Sequence, residues 1–390
     1  MQALSYFIIA LFAFVAVAVA QTPPAPGKTL TEIYNSGQLQ EKLFSDRFLQ
    51  QVPIEQLTTI LQDMRRKFGH ALRSEGKAGS YQIITEQYRI PATLILNQEH
   101  QISGLLLKPA IPKLKAPEAF LARLKELPGK TALLLTKNGT PVIQHNAKQP
   151  LAVGSAFKLA VLVALQNKIR AGKARWSDVI ILKEHHLSLP SGILQDMPPG
   201  APLTLHTLAS LMIAQSDNTA TDALMHHLKR STVEAVSGLR PMLTTREMFQ
   251  LKADNASYDV YANADLNGQR ALLERLANRP PPQIAKLHNK LRPREEWYIP
   301  LTSICGWLKD VRKLDLMRIN PGLATQKHWR SIAYKGGSNS GVLNFSTWLV
   351  DAEGNSYCLA ITWNTQQTID QAKLSGIYTG LIELLRQPGK

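Results

Sequence analysis

Apolar residues recur at three- and four-residue steps through residues 54–72, at Leu57, Ile60, Leu61, Met64, Phe68 and Leu72, and predict an amphipathic helix. The pattern then shortens to strand-like runs at 81–84, 88–96 and 102–107, the last two flanking the turn Asn97-Gln98-Glu99-His100. A helix is predicted over 118–127. Residues 131–136 and 141–144 read as a hairpin around Asn138-Gly139, residue types that tolerate the left-handed turn such hairpins need. An apolar helix begins near Lys158, residues 188–192 read as loop, and a helix over 205–215 is capped by Thr204. Ser216-Asp217-Asn218 ends it, and a new helix starts at Thr219, where Thr219 and Asp222 resemble a capping box. Short helices broken by Pro280-Pro281-Pro282 fill 236–300, and two strands, 343–350 and 356–362, precede a closing amphipathic helix over 369–385. Strands at both ends of this stretch with helices between them predict an α+β domain whose sheet is assembled from distant segments.

The N-terminal twenty residues differ from the rest. An apolar run over 7–20 ends in Ala18-Val19-Ala20, a small-x-small cleavage pattern, and residues 1–20 read as a secretory signal peptide. The run is short for a membrane span, and no cysteine follows it to carry a lipid. A periplasmic or secreted location is therefore expected, with no stable span after cleavage. After a proline-rich spacer, a small α+β domain is expected over 29–113, and prolines near 109–117 separate it from a second domain over 118–387.

Composition narrows the classes. With 44% hydrophobic and 19% charged residues in 390, the chain is globular, and disordered and repeat classes are excluded. The net charge of +16 is scattered, for example at Lys309, Arg312, Lys313 and Arg318, so nucleic acid is not expected as a partner. A basic surface also suits anionic envelope polymers or carboxylate-bearing substrates. Cys305 and Cys358 are the two cysteines, both in apolar surroundings; separate buried thiols and a disulfide both fit.

Candidate chemistry begins at Ser155-Ala156-Phe157-Lys158, where a hydroxyl and an amine lie one helical turn apart. The same spacing occurs at Ser74-Glu75-Gly76-Lys77, in a polar stretch that reads as loop. A serine nucleophile needs a base, a proton route to the leaving group and donors for the oxyanion. Lys158 serves as base only with a lowered pKa, which burial, its helix N-terminus and a second cation all favour. Ser216 and Asn218 offer a hydroxyl and an amide on a tight loop. Lys335-Gly336-Gly337-Ser338 follows a strand-like run, with Lys335 as the second cation and glycines that admit a substrate backbone. His185-His186 and His226-His227 are adjacent pairs without metal-ligand spacing, and no metal or other cofactor is expected. No Gly-x-Ser-x-Gly elbow is present.

Ser-x-x-Lys, Ser-Asp-Asn and Lys-[Thr/Ser]-Gly, in that order, are the signatures of the penicillin-recognising serine hydrolases, and the chain resembles their class A β-lactamase branch over about 118–385. The resemblance implies Ser155 as nucleophile, Lys158 as its base, Ser216 as proton relay, and Lys335 as the group that binds substrate carboxylate and tunes Ser216. It implies substrate contacts from Asn218 and Gly337, an oxyanion hole at the backbone nitrogens of Ser155 and Ser338, and a five-stranded antiparallel sheet beside a helical lobe. A small α+β unit ahead of a class A-like domain that carries the strings Ser188-Leu189-Pro190-Ser191-Gly192 and Leu243-Thr244-Thr245-Arg246-Glu247-Met248-Phe249 resembles the two-domain β-lactamase-like esterase of clavulanic acid gene clusters. In that subfamily the front domain is steroid-isomerase- or cystatin-like.

Two departures stand out. Class A enzymes carry a Glu-x-x-Leu-Asn string whose acid activates the deacylating water, and none exists between 236 and 335. The string Asn263-Ala264-Asp265-Leu266-Asn267 has Asn where the Glu should be and reads as coincidence, and Glu247, also in range, suits a surface or helix role. Gly336 also replaces the usual hydroxyl residue, so one contact to the substrate carboxylate is missing unless Ser338 supplies it. The expectation is an exported serine hydrolase acting on β-lactams or related amides and esters through an acyl-enzyme on Ser155. The alternatives are a D,D-peptidase or esterase, and a penicillin-binding sensor that acylates without turnover.

Overall fold

A computed structural model describes residues 26–386, so the expected signal peptide lies outside the described residues. Contacts divide the chain into two units: residues through Ala116 together with Asp370–Leu384, and Pro117–Ile369.

In the first unit, strands Arg73–Lys77, Ser80–Ile84, Tyr88–Leu96 and Ile102–Leu107 form an antiparallel meander in chain order. Leu57, Leu61 and Met64 of helix Ile54–Phe68 are buried in a core with Ile83, Ile90 and Ile102. The expected helix over 54–72 stops earlier: Gly69 caps it at φ +84, and Leu72 is 63% exposed. The second Ser-x-x-Lys match lies on the strand Arg73–Lys77, not in a loop. That strand is polar and exposed, so no apolar alternation marks it, and on a strand residues three apart face opposite ways. Ser74 and Lys77 therefore do not share a face. The closing helix Gln371–Leu384 packs its Gly376 against the Ala110 carbonyl, where a Cβ would fall 2.1 Å away.

The second unit is built on a five-stranded antiparallel sheet with outer strands Ser331–Asn339 and Thr140–His145. Its inner strands, in spatial order from Ser331–Asn339, are Val342–Val350, Ser356–Asn364 and Lys130–Lys137. The hairpin predicted around Asn138-Gly139 is present, with φ of +52 and +86 at the two turn residues. Val342–Val350 and Ser356–Asn364 are buried almost throughout, and their mostly apolar sequences carry the buried polar residues Asn344, Ser346, Thr347 and Thr362. Helix Lys158–Arg170 runs through the core: Lys158 and every residue from Leu159 to Gln166 are buried. Cys305, on helix Leu301–Val311, is disulfide-bonded to Cys358 on the sheet, which resolves the open choice between thiols and a bridge. Among the described residues, no helix is long and apolar enough to cross a membrane.

Candidate active site

Ser155 sits in a 3₁₀ turn, Gly154–Phe157, and the α-helix proper begins at Lys158. In a 3₁₀ turn side chains three apart eclipse one another, so the serine and lysine lie one above the other. Phe157 anchors the turn by stacking on Trp297 at 3.7 Å, and the Val153 N–H donates to the Trp297 carbonyl at 3.1 Å. Lys158 is fully buried. Its Nζ donates to the Ser216 carbonyl at 2.5 Å, to Asn218 Oδ1 at 2.6 Å and to Ser216 Oγ at 3.3 Å.

The loop carrying Ser216 is held in an uncommon shape. Ser216 has φ +59, a conformation that costs a non-glycine residue energy and persists where its surroundings enforce it. Enforcement comes from Asp217, fully buried, which caps helix Asn218–Leu228 by accepting from Ala220 N at 2.8 Å. The other Asp217 oxygen accepts from the N–H groups of Ile193 and Leu194 at 2.7 and 2.9 Å. The Ser191 hydroxyl donates to the Ser216 carbonyl at 2.7 Å, and Asn218 Nδ2 donates to the Leu189 carbonyl at 3.0 Å. The helix thus starts one residue before the expected Thr219, with Asp217 as its cap. Asp222 is not part of a capping box; it accepts from the N–H groups of Thr245 and Arg246 at 2.8 and 2.9 Å.

Lys335, on the outer strand Ser331–Asn339, is 3% exposed. Its Nζ donates to Ser216 Oγ at 3.0 Å and to the Gly336 carbonyl at 2.6 Å. The Ser216 hydroxyl therefore lies between two buried amines. Burial pushes the Lys335 pKa down to about 7. Burial, reinforced by the Lys335 charge, holds Lys158 well below the ordinary lysine range, against a smaller opposing pull from Asp222 and Asp217. Two residues further along the same strand, a Cβ on Gly337 would stand 2.6 Å from the Ser155 nitrogen. A Cβ on Gly154 would stand 3.0 Å from the Ser338 nitrogen, so the strand and the turn carrying Ser155 meet backbone to backbone.

Ser155, Lys158, Ser216, Asn218, Lys335, Gly337 and Ser338 are thus gathered into one cluster. Sequence reasoning missed Ser191 and Asp217; an Asp directly before a helix is a capping signal that marks the second. The two acid-bearing strings singled out in the range of the missing Ω-loop glutamate serve helices, whereas Glu295 and Glu296, also in that range, are buried and pair with Lys252. Glu247 completes a capping box with Thr244 and pairs with Arg230 at 2.5 Å, while Asp265 caps helix Leu266–Ala277. Among the described residues, no carboxylate hydrogen-bonds to Lys158 or Lys335. Three histidines taken from the two sequence pairs do meet: the His185 ring lies 4.5 Å from His186 and 4.8 Å from His226, centroid to centroid. No described cluster of His, Cys, Asp and Glu has an arrangement able to hold a metal ion.

Residues 118–283 match the model of the beta-lactamase enzyme family. No curated protein matches the chain in sequence. Among solved structures, an ancestral class A beta-lactamase aligns over 69% of this chain and 98% of its own, at 14% identity and a TM-score of 0.50. A beta-lactamase from Sphaerobacter thermophilus DSM 20745 aligns over 69% and 95%, at 20% identity and a TM-score of 0.46. At these identities the likeness is one of fold.

Proposed function

We propose that the chain, whose residues 118–283 match the beta-lactamase enzyme family, is an exported serine hydrolase that opens β-lactams, or related amides and esters, through an acyl-enzyme on Ser155. The observation that carries this reading is the Ser216 hydroxyl held 3.3 Å from Lys158 Nζ and 3.0 Å from Lys335 Nζ, next to a nucleophile turn packed on Gly337.

In the proposed mechanism a neutral Lys158 amine takes the Ser155 hydroxyl proton as Oγ attacks the substrate carbonyl carbon. The N–H groups of Ser155 and Ser338 receive the negative charge that develops on the carbonyl oxygen. As the C–N or C–O bond breaks, Ser216 Oγ gives its proton to the departing atom, and the proton on Lys158 replaces it. Lys335, when charged, attracts an anionic substrate group. Acylation therefore has a complete set of groups. Among the described residues no carboxylate hydrogen-bonds to Lys158 or Lys335, so in this reading Lys158 and Ser216 activate the deacylating water by the reverse steps, and turnover is slow. The disulfide supports an oxidising destination outside the cytoplasm.

The test is the intact mass of the protein after exposure to penicillin. The wild type gains one adduct, and Ser155→Ala gains none. A wild type that gains no adduct with any β-lactam or ester probe refutes the reading. Many turnovers of a chromogenic cephalosporin per protein exclude the acylate-and-stop sensor; peptide cleavage without lactam turnover favours the D,D-peptidase.

A further inference from the structure

Gly336 stands where the family pattern has Thr or Ser, so the site lacks a hydroxyl directly after Lys335. In the strand Ser331–Asn339, residues two apart share a face, which puts Tyr334 and Gly336 on the same side. A Cβ on Gly336 would stand 2.2 Å from Tyr334 Oη and 2.9 Å from its Cζ. The tip of the phenol thus fills the space into which a side chain at 336 would grow. The ring is pinned from behind. Gly322, at φ +62, lies against it so closely that a Cβ there would fall 2.4 Å from Cδ2 and 2.6 Å from Cε2. Two glycines therefore make room for one tyrosine, at its ring and at its hydroxyl.

The Tyr334 hydroxyl makes no hydrogen bond among the described residues, so its proton is available to a ligand. Burial raises its pKa, so it stays a neutral donor. Its neighbours along the strand belong to the site: Lys335 Nζ is bonded to Ser216, and Gly337 abuts the Ser155 nitrogen.

We infer that Tyr334 is a substrate-binding residue whose hydroxyl replaces the one missing at 336 and donates to a carboxylate beside the scissile carbonyl. Tyr334 and Gly336 form a coupled exchange: the hydroxyl has moved two residues back along the strand, and position 336 has given up its side chain to admit it. The inference rests on the acyl-enzyme reading above and names the contact by which that site selects anionic substrates.

The experiment follows adduct formation by intact mass with penicillin G and with its methyl ester, on the wild type, Tyr334→Phe and the double variant Tyr334→Ala/Gly336→Thr. A hydrogen bond to a charged group predicts that Tyr334→Phe slows the carboxylate probe about tenfold while changing the ester rate less than about twofold. The double variant, with its hydroxyl returned to 336, regains most of the preference for the carboxylate. Equal slowing of both probes, or no slowing of either, overturns the role of Tyr334 and leaves the serine hydrolase standing. If Tyr334→Phe fails to fold, the double variant decides: loss of its carboxylate preference overturns the exchange. No adduct on the wild type with either probe overturns both readings together.

Discussion

Gly337 approaches Ser155 so closely that a Cβ on it would lie 2.6 Å from the Ser155 backbone nitrogen and 2.0 Å from the Val153 carbonyl oxygen. Both are backbone atoms and have no rotamer by which to yield. Gly337→Ala therefore forces the strand Ser331–Asn339 away from the turn carrying Ser155 and separates the nitrogens of Ser155 and Ser338. Since losing a single oxyanion donor costs about 10²–10³ in rate, single-turnover acylation of Gly337→Ala is expected to fall at least a hundredfold. A rate within tenfold of wild type rules out an oxyanion hole at these two nitrogens.

Gly192 has the same relation to the Ser216 loop. It holds φ +106, and a Cβ there would fall 2.2 Å from Asp217 Oδ2. That oxygen ties the loop to Ile193 and Leu194. Gly192→Ala is expected to release Ser216 from its left-handed conformation, reducing acylation more than tenfold and lowering the melting temperature. Unchanged values for both would mean that Asp217 does not hold the loop.

The elements that position this site were legible where local rules decide them. Helix Leu205–Ala214 with its Thr204 cap, the Asn138-Gly139 hairpin and the two buried strands all follow from period and turn chemistry. The order Ser155, Ser216, Lys335 was legible through resemblance, because each motif alone is an ordinary helix start, loop or strand edge. Tertiary neighbours were not legible. Arg73–Lys77 is a strand only because Ser80–Ile84 pairs with it, and its own residues carry no alternation. Asp217 was passed over because Thr219 and Asp222 fit a local capping pattern, while burial of Asp222 under Thr245 and Arg246 depends on a segment more than twenty residues away. Tyr334 drew no notice, since its hydroxyl matters only once Gly322 and Gly336 are seen beneath it.

The bridge from Cys305 to Cys358 closes a loop of 53 residues and links helix Leu301–Val311 to the sheet. Chain-entropy arguments for a loop of that length give about 4 kcal/mol of stabilisation. Cys305→Ser with Cys358→Ser is expected to lower the denaturant midpoint of the folded protein accordingly, while leaving adduct formation at Ser155 measurable at low temperature. An unchanged midpoint, or full stability of the wild type under strong reductant, contradicts a structural role for the bridge.

Lys335 links activity and stability to pH in opposite ways. Its pKa falls from 10.5 to about 7 through burial, so it is charged below about pH 7 and neutral above. Acylation by an anionic substrate is therefore expected to fall as pH rises through about 7, and acylation by the corresponding ester to lack that alkaline limb. For stability, the unfolded lysine keeps its proton up to its ordinary value of 10.5, whereas the folded one gives it up near 7. Between those values the unfolded state binds more protons, and stability rises with pH. The cost of the buried amine is thus greatest below pH 7 and fades toward pH 10.5. Lys335→Met removes it: the variant should melt above the wild type at pH 6–7, converge with it in alkali, and lose the preference for anionic substrate. Melting curves that stay parallel across that range would show that Lys335 keeps its proton in the folded protein, and the alkaline limb of acylation would then need another cause.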